Sequence, residues 1–188
     1  MVGKTPRQQR YDERRRAILD AARLRADTDG WASVTTRHLA EAIGYTQPVL
    51  YGHFPGGKGE IMLVIALEGF AELAERCRKA LCRTDAPGAR IAAVATAYLD
   101  FGSAHPAVYE AMFQQVIDVK FASDDTPADL RAGFDVLADT IEDESRGVET
   151  EVFWAALHGI SLLERAGRMR PEHREIRITE LIDRYARG

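Results

Sequence analysis

The chain of 188 residues carries 29 acidic and 25 basic side chains, a formal net charge of −4, and 46% of it is hydrophobic. That balance excludes a disordered chain, a fibre or a disulfide scaffold, and the length suits one large domain or two small ones. A mildly acidic total gives by itself no reason to expect a nucleic-acid partner. The total conceals a division. Residues 1–60 hold ten basic and seven acidic side chains, net +3, while residues 61–188 hold fifteen and twenty-two, net −7. The first sixteen residues alone carry six basic and two acidic side chains, so a basic head precedes an acidic body. No apolar run approaches the roughly 18 residues that span a bilayer. The opening Met-Val-Gly-Lys-Thr-Pro-Arg has no apolar stretch of the secretory kind, so a cytoplasmic location without membrane partners is expected. Cys77 and Cys82, five apart on a helical pattern, point about 140° apart and have no zinc-spaced companions. Reduced thiols, no metal and no cofactor are expected.

Helical spacing runs along nearly the whole chain, and no segment alternates as a strand does. In chain order, Gly30 is placed to end a first helix in a left-handed cap, and Gly44 interrupts a second. Pro55-Gly56-Gly57 ends a third, and Asp85-Ala86-Pro87-Gly88 separates two long helices. Ile91, Val94, Ala95, Tyr98 and Leu99 trace one helix face. His105-Pro106 opens another helix with Pro in its first turn. After the polar loop Ser123–Thr126, Thr126 can cap a helix that carries Leu130, Phe134, Leu137, Ala138 and Ile141. Arg170-Pro171 divides the last two helices, the second carrying Ile178, Leu181, Ile182 and Tyr185. The expectation is an all-α protein of about nine helices, with three short ones near the N-terminus and longer ones after.

The strongest signal lies between Val34 and Lys58. Thr35 is placed to cap a helix of about eight residues whose inner face is Leu39, Ala40 and Ile43. Gly44 permits the positive φ of a tight turn. Thr46 can cap the next helix, with Pro48 in its first turn. Leu50 and Phe54 face inward, which leaves Gln47, Pro48, Val49, Tyr51 and His53 on the exposed surface. Two short helices joined by a Gly-bearing turn form a helix-turn-helix, whose second helix enters the major groove. Gln47 can pair with adenine and Arg37 with guanine, and Pro48 and Val49 offer apolar surface to a thymine methyl. Tyr51 can reach a phosphate or a base, and Thr36, His53 and Lys58 can reach phosphates, which set register. With Thr46, these form the expected DNA-contacting set. The basic tail from Lys4 to Arg16 reads either as a solvated arm or as a phosphate-contacting one.

Thr35-Thr36-Arg37-x-Leu39-Ala40 and Gln47-Pro48-x-Leu50-Tyr51-x-His53 resemble the DNA-binding domain of TetR-family transcriptional regulators, as does Ile18-Leu19-Asp20-Ala21-Ala22. The resemblance covers roughly residues 12–70. One departure is Arg23-Leu24-Arg25-Ala26, where the family places apolar residues. Arg25 falls on an expected core position, so either its stem packs while its head reaches solvent, or the helix is rotated. The resemblance implies a DNA-binding domain at 1–58 and a helical effector-binding and dimerising domain at 59–188. It also implies a homodimer on a palindromic operator, released by a small-molecule effector.

In the body, Phe153-Trp154-Ala155-Ala156-Leu157-His158-Gly159 resembles the Trp-x-x-x-His-Gly pattern of one TetR subgroup, and the stretch from His105 to Phe113 fits that subgroup too. Tyr98, Phe101, Met112, Phe113, Val116 and Phe134 are large apolar residues on the middle helices. With Tyr109, Trp154 and His158 they either line an apolar effector pocket or are plain core. The helices at about 148–168 and 171–187 resemble the family's dimerising pair, which would form a four-helix bundle across two copies. Enzyme chemistry has no foothold in the sequence. It holds no Gly-x-Ser-x-Gly elbow, no His-Glu-x-x-His pair and no Gly-rich phosphate loop, so no catalytic residue is expected.

Overall fold

A computed structural model describes residues 5–84, 86–113 and 128–186 of the chain. Among them there is no strand, and nine α-helices follow in order: α1 Pro6–Asp29, α2 Thr36–Ala42, α3 Gln47–His53, α4 Gly57–Leu81, α5 Pro87–Ala104, α6 Pro106–Phe113, α7 Ala128–Ile141, α8 Val148–Arg165 and α9 Arg174–Tyr185. Short 3-10 turns at Trp31–Ser33 and Pro171–His173 precede α2 and α9. No helix among the described residues is long and apolar enough to cross a membrane. The all-α expectation holds, with one correction at its start: α1 is 24 residues long, not short. Thr5 caps it by accepting from the Gln8 N–H, and Pro6 sits in its first turn, so the basic stretch after Thr5 is helix, not a loose arm.

The helices form two compact units. The first comprises residues 1–66 together with 107–115, so it contains α1, α2, α3, the first part of α4, and α6. Ile18, Leu19, Ala22 and Ala26 make the buried face of α1. α1 packs against α2 and α3, where Leu39 and Ala40 of α2, Leu50 of α3 and Phe54 are likewise buried. Arg25 is exposed and ion-paired to Asp29 at 2.9 Å, so the inner face runs through the alanines at 22 and 26 and the arginine lies outside it. Gly30 ends α1 with φ +75°, but its ψ of 162° puts it in extended backbone of the glycine-only kind, not in the expected left-handed helical cap. The α2–α3 turn closes as a Schellman motif. The Tyr45 N–H donates to the Ala40 carbonyl at 2.9 Å and the Gly44 N–H to the Glu41 carbonyl at 3.1 Å, with Gly44 at φ +73°.

The second unit comprises residues 67–106 and 116–188. Here α5 packs against α7, α8 and α9, burying Ile91, Val94, Ala95, Tyr98, Leu99 and Phe101. At Gly88 a Cβ would lie 3.0 Å from the Ile182 side chain of α9, so the two helices converge closely there. Leu137, Ala138 and Ile141 of α7 are buried as their spacing predicts, while the expected loop at 123–126 and the Thr126 cap lie outside the described residues. The α7–α8 connection is built on Asp143. Its carboxylate accepts from the Ser145 hydroxyl, the Thr150 hydroxyl and the N–H groups of Ser145, Gly147 and Thr150, at 2.6 to 3.1 Å. Those bonds, the two hydroxyls first, hold the carboxyl well below its ordinary range. Glu142 and Arg146 flank it at positive φ, 58° and 47°. On α9's approach, Arg177 donates to Glu164 at 2.6 Å and Arg174 to Asp100 at 2.7 Å, tying the last helix to α8 and α5.

Candidate nucleic-acid interface

α2 and α3 are seven residues each, too short to persist alone, so caps and core anchors hold them. Thr35 caps α2 by accepting from the His38 N–H at 3.2 Å. Thr46 stands at the N-cap position of α3, yet its side chain makes no capping bond, which leaves its hydroxyl at the exposed front of the helix. Leu50 and Phe54 are fully buried and pin α3 from below. α4 then starts at Gly57, where φ is +59° and an added Cβ would lie 3.4 Å from the Tyr51 ring. Glu60 steadies this corner by accepting from the Gly56 N–H at 2.8 Å.

The outward face of α3 carries Gln47, Pro48 and Tyr51, all exposed, with Val49 half-buried beside them. Tyr51 is 46% exposed, and its hydroxyl lies 3.5 Å from the Thr36 hydroxyl of α2. That brings Thr36, Gln47 and Tyr51 into one polar surface with two apolar neighbours, Pro48 and Val49. Arg37 is exposed on α2, where Glu41 holds its guanidinium at 2.9 Å. A base would have to displace a weak surface pair, which costs little.

Two of the expected contacts have other work. His53 is only 5% exposed, not on the surface. Its ring lies against Tyr11 at 4.2 Å between centroids, and its Nδ1 has no hydrogen-bond partner among the described residues. Burial first, then the positive charges of Arg14 and Arg15, push its pKa down, so it is a neutral wedge between α1 and α3 and not a phosphate-binding cation. The spacing held the clue: His53 is three residues after Leu50 and next to Phe54, on the inward stripe. Lys58 donates its ammonium to the Trp31 carbonyl and so braces the start of α4.

Spacing alone did not point to the arginines that fix the recognition helix. Arg15 donates to the His53 carbonyl at 3.1 Å and its guanidinium lies 4.3 Å over the Phe54 ring. Arg14 lies 4.9 Å over the Tyr45 ring, just before α3. A second brace involves α6. Asp27 accepts from the Ala107 N–H at 3.0 Å, and the Trp31 indole donates to the Ala107 carbonyl at 2.8 Å.

The expected effector residues fall into separate clusters. In the second unit, Trp154 donates to the Tyr98 hydroxyl at 3.1 Å and meets the Phe134 ring edge-on at 6.4 Å. Phe101, fully buried, packs against His105 at 5.1 Å. His158 is half-buried one turn beyond Trp154, and burial, then Arg165, lower its pKa. In the first unit, Tyr109 and Met112 are buried and the Tyr109 and Phe113 rings lie 4.7 Å apart on α6. Val116 lies outside the described residues.

Residues 18–65 match the family of bacterial regulatory proteins of the tetR type, and residues 91–185 match the tetracycline repressor-like C-terminal domain. The chain is 27% identical over 183 residues to an uncharacterised HTH-type transcriptional regulator of Mycobacterium tuberculosis, covering 93% of this chain and 80% of that protein. A Rhodococcus protein of unknown function shares the fold with a TM-score of 0.73 at 22% identity, over 93% of this chain and 94% of that one. A tetR-family transcriptional regulator from Streptomyces coelicolor does so with a TM-score of 0.67 at 22% identity, over 93% of this chain and 79% of that one. With both of its parts matched, the chain belongs to the TetR family of DNA-binding transcriptional regulators.

Proposed function

We propose that the protein is a dimeric repressor that holds a palindromic operator and releases it when a small apolar effector binds the body. The observation that carries this reading is the exposed Gln47, Pro48 and Tyr51 surface of α3, set on the buried pair Leu50 and Phe54. Gln47 would read adenine, Pro48 and Val49 a thymine methyl, and Arg37 guanine once released from Glu41. Residues 1–58 would serve DNA, braced by residues 107–115, and the rest of 59–188 the effector and the dimer.

Dimerisation is supported by one face of α8. Val148, Val152, Ala155, Gly159 and Leu163 share a sector of about 80° at 100° per residue. Val148, Val152 and Leu163 are exposed, and nothing lies within 4 Å of a Cβ at Gly159, so a partner helix has room there. A two-fold pair would place two recognition helices about one DNA turn apart. The Tyr98, Phe134 and Trp154 cluster supports an aromatic wall for the effector. α4 contributes residues to both units, so a shift of its body portion would reach the head through continuous helix. The coupling required is of order 1–3 kcal/mol.

The test is enrichment of random duplexes on the purified protein, read by sequencing. A two-fold symmetric consensus is expected. Gln47→Ala and Tyr51→Ala should each lower affinity for it by about 1–3 kcal/mol with unchanged melting. Full binding by both variants would overturn the residue assignment.

A further inference from the structure

The first turns of α1 carry a basic stripe that the recognition surface does not use. Arg7, Arg10 and Arg14 stand at i, i+3 and i+7, within about 60° of one another around the helix. The acidic residues of the same stretch, Asp12 and Glu13, fall outside that sector, and Gln8 donates to Asp12 at 3.0 Å. Arg7 and Arg10 are exposed and make no ion pair among the described residues. By contrast, the exposed Arg25 and Arg37 are ion-paired, to Asp29 and Glu41. The stripe ends beside the recognition helix. Arg14 lies over the Tyr45 ring, one residue before the α3 N-cap, and its charge also depresses the pKa of His53 at the far end of α3. The stripe thus reaches the residue that precedes the α3 N-cap through Arg14 and runs on along the first turns of α1.

We propose that Arg7, Arg10 and Arg14 form a phosphate clamp that grips the duplex backbone outside the bases read by α3. The occupant is duplex DNA, argued from charge complementarity and from continuity with the α3 surface; the proposal rests on the operator-binding reading above. Guanidinium groups suit this task because each presents several N–H donors to phosphate oxygens. Each phosphate neutralised releases counterions, so each arginine should contribute about 0.9 to the slope of log affinity against log salt. The clamp adds grip without adding sequence information.

The experiment measures affinity for the enriched duplex between about 50 and 200 mM salt. It compares the full-length wild type with Arg7→Ala/Arg10→Ala, the triple alanine variant including Arg14, and Arg7→Lys/Arg10→Lys. The expected result is a slope shallower by roughly one per arginine removed in each subunit, with an unchanged consensus. The lysine variant should keep the wild-type slope. The double alanine variant leaves the Arg14 contact with Tyr45 intact, so it stays informative should the triple variant melt early. An unchanged slope in the double alanine variant overturns the clamp while leaving the operator reading intact. A changed consensus also overturns it, since that would mean base readout. A wild-type protein that enriches no duplex overturns the operator reading, and the clamp with it.

Discussion

The two units orient their aromatic and polar side chains in opposite ways. In the first, they point outward from helices of seven residues. Their precision comes from beneath, through Leu50, Phe54, the His53 wedge and arginines laid over rings. In the second, helices of up to 18 residues, beside the longer α4, turn aromatic groups inward and join them by hydrogen bonds, as Trp154 does with Tyr98. The contrast is physical. A surface that reads another molecule needs a stiff platform, because two-turn helices do not hold themselves. Long helices, by contrast, bury enough of one another's faces to hold together without such a platform.

The chain's two tryptophans fall one in each unit, Trp31 in the first and Trp154 in the second, so each unit can be followed separately with the other Trp changed to Phe. The largest expected effect is at Phe54. Phe54→Ala empties a fully buried site and should cost about 3–5 kcal/mol in the Trp31 transition, leaving the Trp154 transition in place. Equal displacement of both transitions would break the separation. Next comes Tyr98→Phe, which removes the acceptor for the Trp154 indole and should cost about 1 kcal/mol in the Trp154 transition alone.

Acid should divide the units as well. The folded pKa of His53 lies below its ordinary 6.5, so the unfolded chain takes up that proton first. Its contribution is complete above 6.5 and is lost as pH falls toward the folded value. His53→Gln should flatten the Trp31 stability profile in that window. Asp143 is also depressed, but from an ordinary 3.8, so its contribution to the second unit is lost only below that pH. A Trp31 profile that His53→Gln leaves unaltered would contradict the wedge. The smallest effect belongs to Arg25→Ala. An exposed ion pair contributes little, so a change within about 0.5 kcal/mol is expected, and a larger loss would mean that its stem packs after all.

The legible parts of the sequence were those governed by short-range rules. Thr35, Gly44 and Pro48 each act on neighbours within five residues, so the turn and both short helices could be read from order alone. The length of α1 was missed because its first turns are polar all round and offer no apolar period; Thr5 and Pro6 were the available signal. Lys58 looks like a free cation in the sequence because its acceptor, the Trp31 carbonyl, is a backbone atom 27 residues away that no side-chain pattern announces. The Asp143 hub was invisible for a related reason, since Asp-x-Ser-x-x-x-x-Thr is ordinary loop composition until the backbone folds over it. The effector residues could be listed but not grouped, because buried aromatics on separate helices carry no mark of which of them meet.

The brace of Asp27, Ala107, Trp31 and Lys58 bears on where the polypeptide can be cut. Both the backbone N–H and the carbonyl of Ala107 are engaged by residues near the end of α1, although about eighty positions separate them along the chain. A fragment stopping at residue 66 would keep every side chain of the helix-turn-helix. It would nevertheless leave the Trp31 indole and the Asp27 carboxylate without their partners and uncover a tryptophan that is 4% exposed in the intact protein. The DNA-reading module is thus written in two instalments, and no single scissor stroke frees it whole. Domain grafts built on this chain should carry residues 107–115 along with the N-terminal segment, or supply a substitute cover for Trp31.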